Sequence, residues 1–156
     1  RESQLNCFQN QILIAKELDL PIIVHDRQSK GDTLKVLKDM NVTKGVIHCF
    51  SGSAETAKIL INMGFMISFT GVITFKNAKR AIEALKVIPI ERLMIETDSP
   101  YMAPEPFRGR RNDSRYVKYV AEKMAEVKGI ELEQLCEITY QNGLKFFNIT
   151  KEENIQ

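Results

Sequence analysis

The stretch GVIHCFSGS at residues 45–53 carries a fold signal and a chemical signal together. It opens with a short apolar run that contains β-branched residues, as is typical of a buried strand, and His48 directly follows that run. Ser53 stands where it can cap the amino end of a helix over residues 54–63. The stretch therefore predicts a strand, a turn and a helix in succession, with a histidine at the end of the strand.

The same unit recurs along the chain. Apolar residues spaced three and four apart predict helices, and short apolar runs predict strands. Strands that alternate with helices indicate a parallel sheet joined by right-handed crossovers. Helices are expected over residues 4–18, 32–41, 54–63, 77–87, 114–128 and 131–147, strands over 21–25, 45–50, 65–69 and 92–97, and a loop rich in Pro and Arg over 99–113.

Two architectures are compatible with four parallel strands, a small open sheet and half of an eight-stranded barrel. No glycine-rich phosphate loop, neither GxGxxG nor GxxxxGK[ST], follows any of the strands. This disfavours an open nucleotide-binding sheet. We therefore predict an α/β fold, a partial (β/α)8 TIM-type barrel of about four parallel strands with flanking helices, as a single domain over residues 1–156.

The composition narrows the class of protein. Hydrophobic residues make up 44% and charged residues 27% of the chain, which is typical of a globular domain, and no apolar run approaches a membrane span. The net charge of +2 is too small to indicate nucleic-acid binding by bulk charge. Three cysteines at long spacings, Cys7, Cys49 and Cys136, indicate free thiols and a cytoplasmic location rather than a disulfide framework.

The two histidines of the chain each end an apolar strand run, His25 after PIIV and His48 after GVI, and Asp98 comes just after a third run. The carboxyl ends of parallel strands are where α/β folds build their sites. Two imidazoles and a carboxylate are suitable donors for Zn²⁺ or a similar ion, and the carboxylate can also accept a proton. The alternative is that these are ordinary core or surface residues, but their equivalent placement favours a metal site.

Glu96 has the same side-chain parity as Asp98 if the chain stays extended, so it would face the same side one layer deeper. A carboxylate buried there needs a partner. We expect a structural ion pair inside the barrel rather than a metal ligand.

Three arginines, Arg108, Arg110 and Arg111, lie in the loop after the fourth strand. Guanidinium groups beside a metal centre suit phosphodiester oxygens, although a solvated basic loop is an equal alternative from composition alone. Arg27, just past His25, is a weaker candidate for the same role. Tyr101 and Phe107 are able to stack on bases, but we expect packing in the core or at its rim for both.

These motifs together resemble the TatD-related family of metal-dependent deoxyribonucleases, within the amidohydrolase-like barrels. The resemblance covers essentially the whole chain and is most specific around HCFSG, ETDSP and RGRRN. The matching stretches are PIIVH (21–25), GVIHCFSGS (45–53), FMISFTG (65–71), RLMIETDSPYMAP (92–104), RGRRND (108–113) and the closing helix with Asn142 and Phe146-Phe147.

The resemblance implies a barrel that holds two divalent ions, Zn²⁺, Mg²⁺ or Mn²⁺, and hydrolyses phosphodiester bonds of DNA. By the same resemblance, His25 and His48 match ligands on the fifth and sixth strands. Asp98 matches the ligand on the eighth strand and the general base. The arginines of the RGRR stretch match the basic loop that faces the phosphate.

The sequence departs from the family pattern in one large respect. The family pattern opens with a strand that carries His-x-His and later has a Glu near a Gly-Leu-Asp stretch, and neither is present here. We therefore expect the 156-residue chain to be impaired by itself, and to be part of a longer polypeptide or a homodimer that closes its open sheet edges. Two other functions stay open, hydrolysis of a small ester, amide or lactone and a non-catalytic half-barrel that acts in assembly or nucleic-acid binding.

Overall fold

A computed structural model describes residues 1–27, 29 and 31–150 of the chain. Helices and strands alternate along it, as the sequence predicts. The helices are α1 (Glu2–Glu17), α2 (Asp32–Asp39), α3 (Ala54–Asn62), α4 (Lys79–Val87), α5 (Val117–Lys128) and α6 (Leu132–Phe146). The strands are β1 (Ile22–His25), β2 (Gly45–His48), β3 (Met66–Phe69) and β4 (Leu93–Ile95), and short 3-10 turns cover Gly71–Thr74, Ile90–Arg92 and Ser114–Tyr116.

The four strands form one parallel sheet in the order β1-β2-β3-β4, so each strand pairs with the next one along the chain. Sequential parallel pairing with helices between the strands is the arrangement of a (β/α) barrel. The expected α/β fold with four parallel strands and flanking helices is confirmed. All carboxyl ends of the strands lie at the same edge, which is where the sequence places His25 and His48.

The core lies between the sheet and the helices packed against it. All four residues of β3 are buried, since this strand has neighbours on both sides. The largest fully buried side chains include Phe65, Phe69, Leu85 and Met124. Burial of each such side chain stabilises the folded chain by about 1.5–3 kcal/mol. This buried layer therefore holds the strands in place, and with them the strand ends.

Local signals in the sequence fix the helix after β2. The Ser53 hydroxyl accepts a hydrogen bond from the backbone N–H of Thr56 at 3.3 Å, as expected of an N-cap. At the other end Gly64 adopts a positive φ of 96°, which a side chain would disfavour. These two residues define the start and the end of α3.

The outer face of α1 and the first strand stays apolar and exposed. Among the described residues, β1 pairs with β2 alone, which leaves one edge of the sheet open. The exposed hydrophobic residues there are Leu13, Ile14, Leu18, Leu20 and Ile23, the last with 62% of its surface exposed. In the part of the chain that the structure describes, no helix combines the length and apolarity needed to cross a membrane.

The fourth strand is shorter than the sequence predicts. The strand ends at Ile95. The backbone N–H of Glu96 still donates to the carbonyl of Phe69, and the chain then leaves the sheet. Asp98 adopts a left-handed conformation with φ of 56°. The expectation that Glu96 and Asp98 share one face of an extended strand is therefore wrong, and a turn rather than strand parity places Asp98.

Candidate metal centre

His25 and His48 lie side by side at the carboxyl ends of the first two strands. They are register partners in the parallel pairing of β1 with β2. Their ring centroids are 5.5 Å apart and the ring planes are inclined by 41°. The short strands put both imidazoles at the open end of the sheet because each histidine is the last residue of its strand. The structure thus brings the two histidines together as the sequence predicts.

Asp98 joins this pair from the turn after β4. Its Oδ1 atom lies 3.4 Å from Nε2 of His48. Asp is among the few residue types that tolerate the left-handed region, which lets the chain reverse here and return the carboxylate to the sheet. Two donors bound at about 2.1 Å to one ion in tetrahedral geometry lie about 3.4 Å apart. The observed separation therefore suits two ligands of a shared ion.

Glu96 contacts the opposite nitrogen of the same imidazole. Its Oε2 atom accepts from Nδ1 of His48, while Oε1 accepts from the backbone N–H of Cys49 at 2.7 Å and from the hydroxyl of Ser68 at 2.5 Å. The expected partner of this carboxylate is therefore a candidate metal ligand. Sequence reasoning foresaw the need for a partner but did not identify His48.

Cys49 directly follows His48, and its backbone contacts Glu96. Its backbone has a positive φ of 48°, which turns its N–H toward Glu96. Burial raises the pKa of the Cys49 thiol above its ordinary value, and the sulfur lies 3.4 Å from the hydroxyl of Thr70. A thiol kept protonated is a poor nucleophile and a poor metal ligand. Cys49 is therefore a structural residue beside the site.

Asn112 holds the loop that carries Asp98. Its side chain is buried, and its amide nitrogen donates to the carbonyls of Thr97 at 2.7 Å and Tyr101 at 2.6 Å. Its backbone N–H donates to the carbonyl of Pro100 at 2.9 Å. Sequence reasoning missed this role, because an Asn beside an arginine cluster carries no sign that its side chain turns inward.

The three arginines of the loop are exposed. The guanidinium of Arg108 lies 4.3 Å from the centre of the Phe75 ring, which orients it, and Arg110 and Arg111 face solvent. Arg111 lines an open cleft of about 510 Å³ together with Ser99 and Tyr116. Their expected role at the phosphate stays a prediction.

The two aromatic residues of the loop differ from each other. Phe107 stacks on Tyr116 with ring centroids 4.3 Å apart, which confirms packing at the rim. Tyr101 is 70% exposed, so the expectation that it packs is wrong. Arg27 is exposed and lines a separate cavity of about 570 Å³ that His25 also borders.

The donor set fits part of a metal site. With Nδ1 bonded to Glu96, His48 can present Nε2 toward a cation, and Asp98 offers a carboxylate oxygen to the same space. Within residues 1–27, 29 and 31–150, however, no group of three or more His, Cys, Asp or Glu side chains is arranged to hold an ion by itself. Ligation by His25, His48 and Asp98 stays a prediction, and further donors are required.

Several known proteins that are similar to this chain in sequence are described as metal-dependent hydrolases. An uncharacterized metal-dependent hydrolase of Bacillus subtilis strain 168, YabD, is 47% identical over 96% of this chain and 59% of its own length. A second, YcfH of Escherichia coli K12, is 45% identical over 94% of this chain and 56% of its own length. The chain thus spans less than two thirds of the length of these relatives.

Solved structures and a family model extend the comparison. The crystal structure of a TatD family hydrolase from Entamoeba histolytica superposes with a TM-score of 0.85 at 26% identity, over 96% of this chain and 58% of that one. The family model for the TatD related DNases matches residues 1–148. The chain therefore belongs to the TatD related DNase family, whose curated relatives named above are described as metal-dependent hydrolases.

Proposed function

We propose that the protein to which this chain belongs hydrolyses phosphodiester bonds of DNA with the help of divalent metal ions. The observation that supports this most is the meeting of His25, His48 and Asp98 at one end of the sheet. Exposed arginines on the loop that follows Asp98 add a preference for phosphate over a neutral ester. Zn²⁺, Mn²⁺ and Mg²⁺ are the ions to test.

The ion and the protein side chains have different roles in the proposed reaction. When bound, a divalent ion supplies Lewis-acid stabilisation of the negative charge that develops on the phosphoryl oxygens. His25 and His48 would hold it through ring nitrogens. Asp98 accepts the proton of the attacking water as the new P–O bond forms, and the ester P–O bond breaks as the leaving alcohol takes up a proton from solvent. Arg108, Arg110 and Arg111 orient the phosphate.

The position of Asp98 supports this proposed role. Its side chain is 30% exposed, so water reaches it, while the turn and Asn112 keep it next to His48. A general base must lie within hydrogen-bond reach of the proton it removes. Asp98→Asn keeps the shape and removes the base, and we expect it to lower turnover by about 100-fold or more.

An activity comparison tests the proposal. The intact protein is incubated with a 3′-labelled single-stranded oligonucleotide and, separately, with a simple carboxylic ester, each with Mg²⁺, Mn²⁺ or Zn²⁺. Cleavage of the oligonucleotide that disappears with a chelator and in Asp98→Asn supports the proposal. Ester hydrolysis without DNA cleavage supports a small-molecule hydrolase, and salt-sensitive DNA binding without turnover supports a non-catalytic module.

The location and the association state are proposals of the same kind. All three cysteines are free, and Cys7 and Cys136 are exposed, which suits a reducing cytoplasm.

The open β1 edge and the apolar face of α1 favour pairing of the isolated 156-residue chain with a second copy. A monomer by size-exclusion chromatography with light scattering would count against that pairing.

A further inference from the structure

We infer that Glu96 is a positioning residue that holds the proton of His48 on Nδ1 and so leaves Nε2 as the nitrogen that faces the ion. The inference rests on the proposed function in one respect: the choice of nitrogen affects activity only if His48 binds an ion. The hydrogen-bond arrangement itself is a property of the chain without any metal.

Two hydrogen bonds fix the carboxylate of Glu96. Its Oε1 atom accepts from the backbone N–H of Cys49 at 2.7 Å and from the Ser68 hydroxyl at 2.5 Å. Ser68 is 5% exposed, and it lies on β3, whereas Cys49 directly follows β2. The carboxylate is therefore bonded to β3 and to the residue that follows β2, and its second oxygen faces His48.

The other carboxylate oxygen, Oε2 of Glu96, contacts Nδ1 of His48. A carboxylate only accepts hydrogen bonds, so the neutral imidazole must carry its proton on Nδ1 to avoid two acceptors in contact. The lone pair then lies on Nε2, which is 3.4 Å from Oδ1 of Asp98. Two acceptors that face each other at this distance are stabilised by a cation between them.

Glu96→Gln is expected to change which nitrogen of His48 carries the proton. The backbone N–H of Cys49 cannot change from donor to acceptor, so the amide oxygen must occupy the Oε1 position. The NH2 group then takes the Oε2 position and donates to Nδ1 of His48. The imidazole proton must move to Nε2, where it blocks the ion. A substitution that preserves shape therefore reverses the tautomer.

The experiment is nitrogen NMR of the histidine rings in the metal-free 156-residue chain at about pH 8.5, above the ordinary imidazole range. The chain has two histidines, so His25→Gln assigns the remaining signals to His48. We expect the protonated nitrogen of His48 to be Nδ1 in the wild type and Nε2 in Glu96→Gln. Ser68→Ala, which keeps the carboxylate and the Cys49 bond, is expected to retain the wild-type tautomer.

Three results would overturn the inference: a wild-type His48 protonated on Nε2, an equal mixture of tautomers, or a Glu96→Gln spectrum identical to the wild type. If Glu96→Gln does not fold, the wild type and Ser68→Ala still decide the question. In the intact protein, Glu96→Gln should weaken Zn²⁺ or Mn²⁺ binding by about 10–100-fold. Absence of DNA cleavage would leave the NMR result intact, so failure of this inference and failure of the proposed function are separable.

Discussion

The Nε2 atom of His48 lies 3.4 Å from Oδ1 of Asp98, although one residue ends β2 and the other follows β4. In the sheet order, β3 lies between these two strands. The turn after Ile95 closes this gap, because it directs the Asp98 carboxylate back over the strand ends. The candidate site therefore depends on a loop as much as on the sheet.

Replacement of Asn112 tests that dependence. Asn112→Ala removes three hydrogen bonds of a buried side chain, those donated to the carbonyls of Thr97 and Tyr101 and the one accepted from the backbone N–H of Asp113. It is expected to destabilise the fold by about 1–3 kcal/mol. Asn142 is a matched control, since its amide also donates to two carbonyls, those of Ile90 and Leu93, at the other end of β4. Urea unfolding should give similar losses for both variants.

Turnover should separate the two asparagine variants. At a temperature where both are folded, Asn112→Ala should lower DNA cleavage by the intact protein far more than Asn142→Ala, because it releases the turn that carries Asp98. Equal activities in the two variants would show that Asn112 does not position Asp98.

The same loop packs closely on Gly71. A side chain there would place its Cβ 2.7 Å from the nitrogen and 3.0 Å from the Cα of Pro104, so the backbone must shift. Gly71→Ala should destabilise the fold by about 1–3 kcal/mol. Gly143, inside α6, has no atom within 4 Å of an added Cβ, and Gly143→Ala should stabilise by about 0.5–1 kcal/mol. Opposite shifts in the urea midpoint are expected, and shifts of the same sign would contradict the packing described.

The arginines should act through charge on DNA. Arg110→Ala and Arg111→Ala are each expected to weaken binding of single-stranded DNA by the intact protein and to reduce the slope of log K against log salt by about 0.7. Fluorescence anisotropy over a salt series measures both. Lys38→Ala, which removes an exposed charge on α2, is the control and should leave the slope unchanged. Unchanged slopes in both arginine variants would remove them from the DNA surface.

Cys49 should resist alkylation where the other cysteines react. Burial raises its pKa, whereas Cys7 and Cys136 are exposed. At about pH 8, maleimide labelling read by mass spectrometry should modify Cys7 and Cys136 and spare Cys49. Because the folded state favours the neutral thiol, the contribution of Cys49 to stability is present below the ordinary thiol pKa. It is lost as the pH rises through the raised value. Rapid labelling of Cys49 in the folded chain would contradict this.

The sequence predicts the strand-end histidines well because local pattern and position coincide. A short apolar run rich in β-branched residues predicts a strand, and the residue that ends the strand lies at the carboxyl edge of a parallel sheet. The neighbouring positions of His25 and His48 follow from this. The N-cap at Ser53 is predictable for the same reason, since its effect is local.

The turn after β4 escapes sequence reasoning because its determinants are distant along the chain. The parity rule assumes an extended strand, and the left-handed conformation of Asp98 breaks that assumption. The inward side chain of Asn112 and the link from Glu96 to His48 are tertiary contacts. The sequence predicts that Glu96 has a partner inside the barrel, but only the folded chain shows that this partner is the candidate metal ligand His48.

Binding of a divalent ion by His25 and His48 can be measured as the metal content of the purified protein. The intact protein and its His25→Ala/His48→Ala variant are incubated with Zn²⁺ or Mn²⁺ at about pH 7.5, where neutral imidazole is available. Both are then desalted and measured by elemental analysis. We expect the variant to hold about one ion fewer per chain than the wild type. Equal metal content in the two proteins would contradict it.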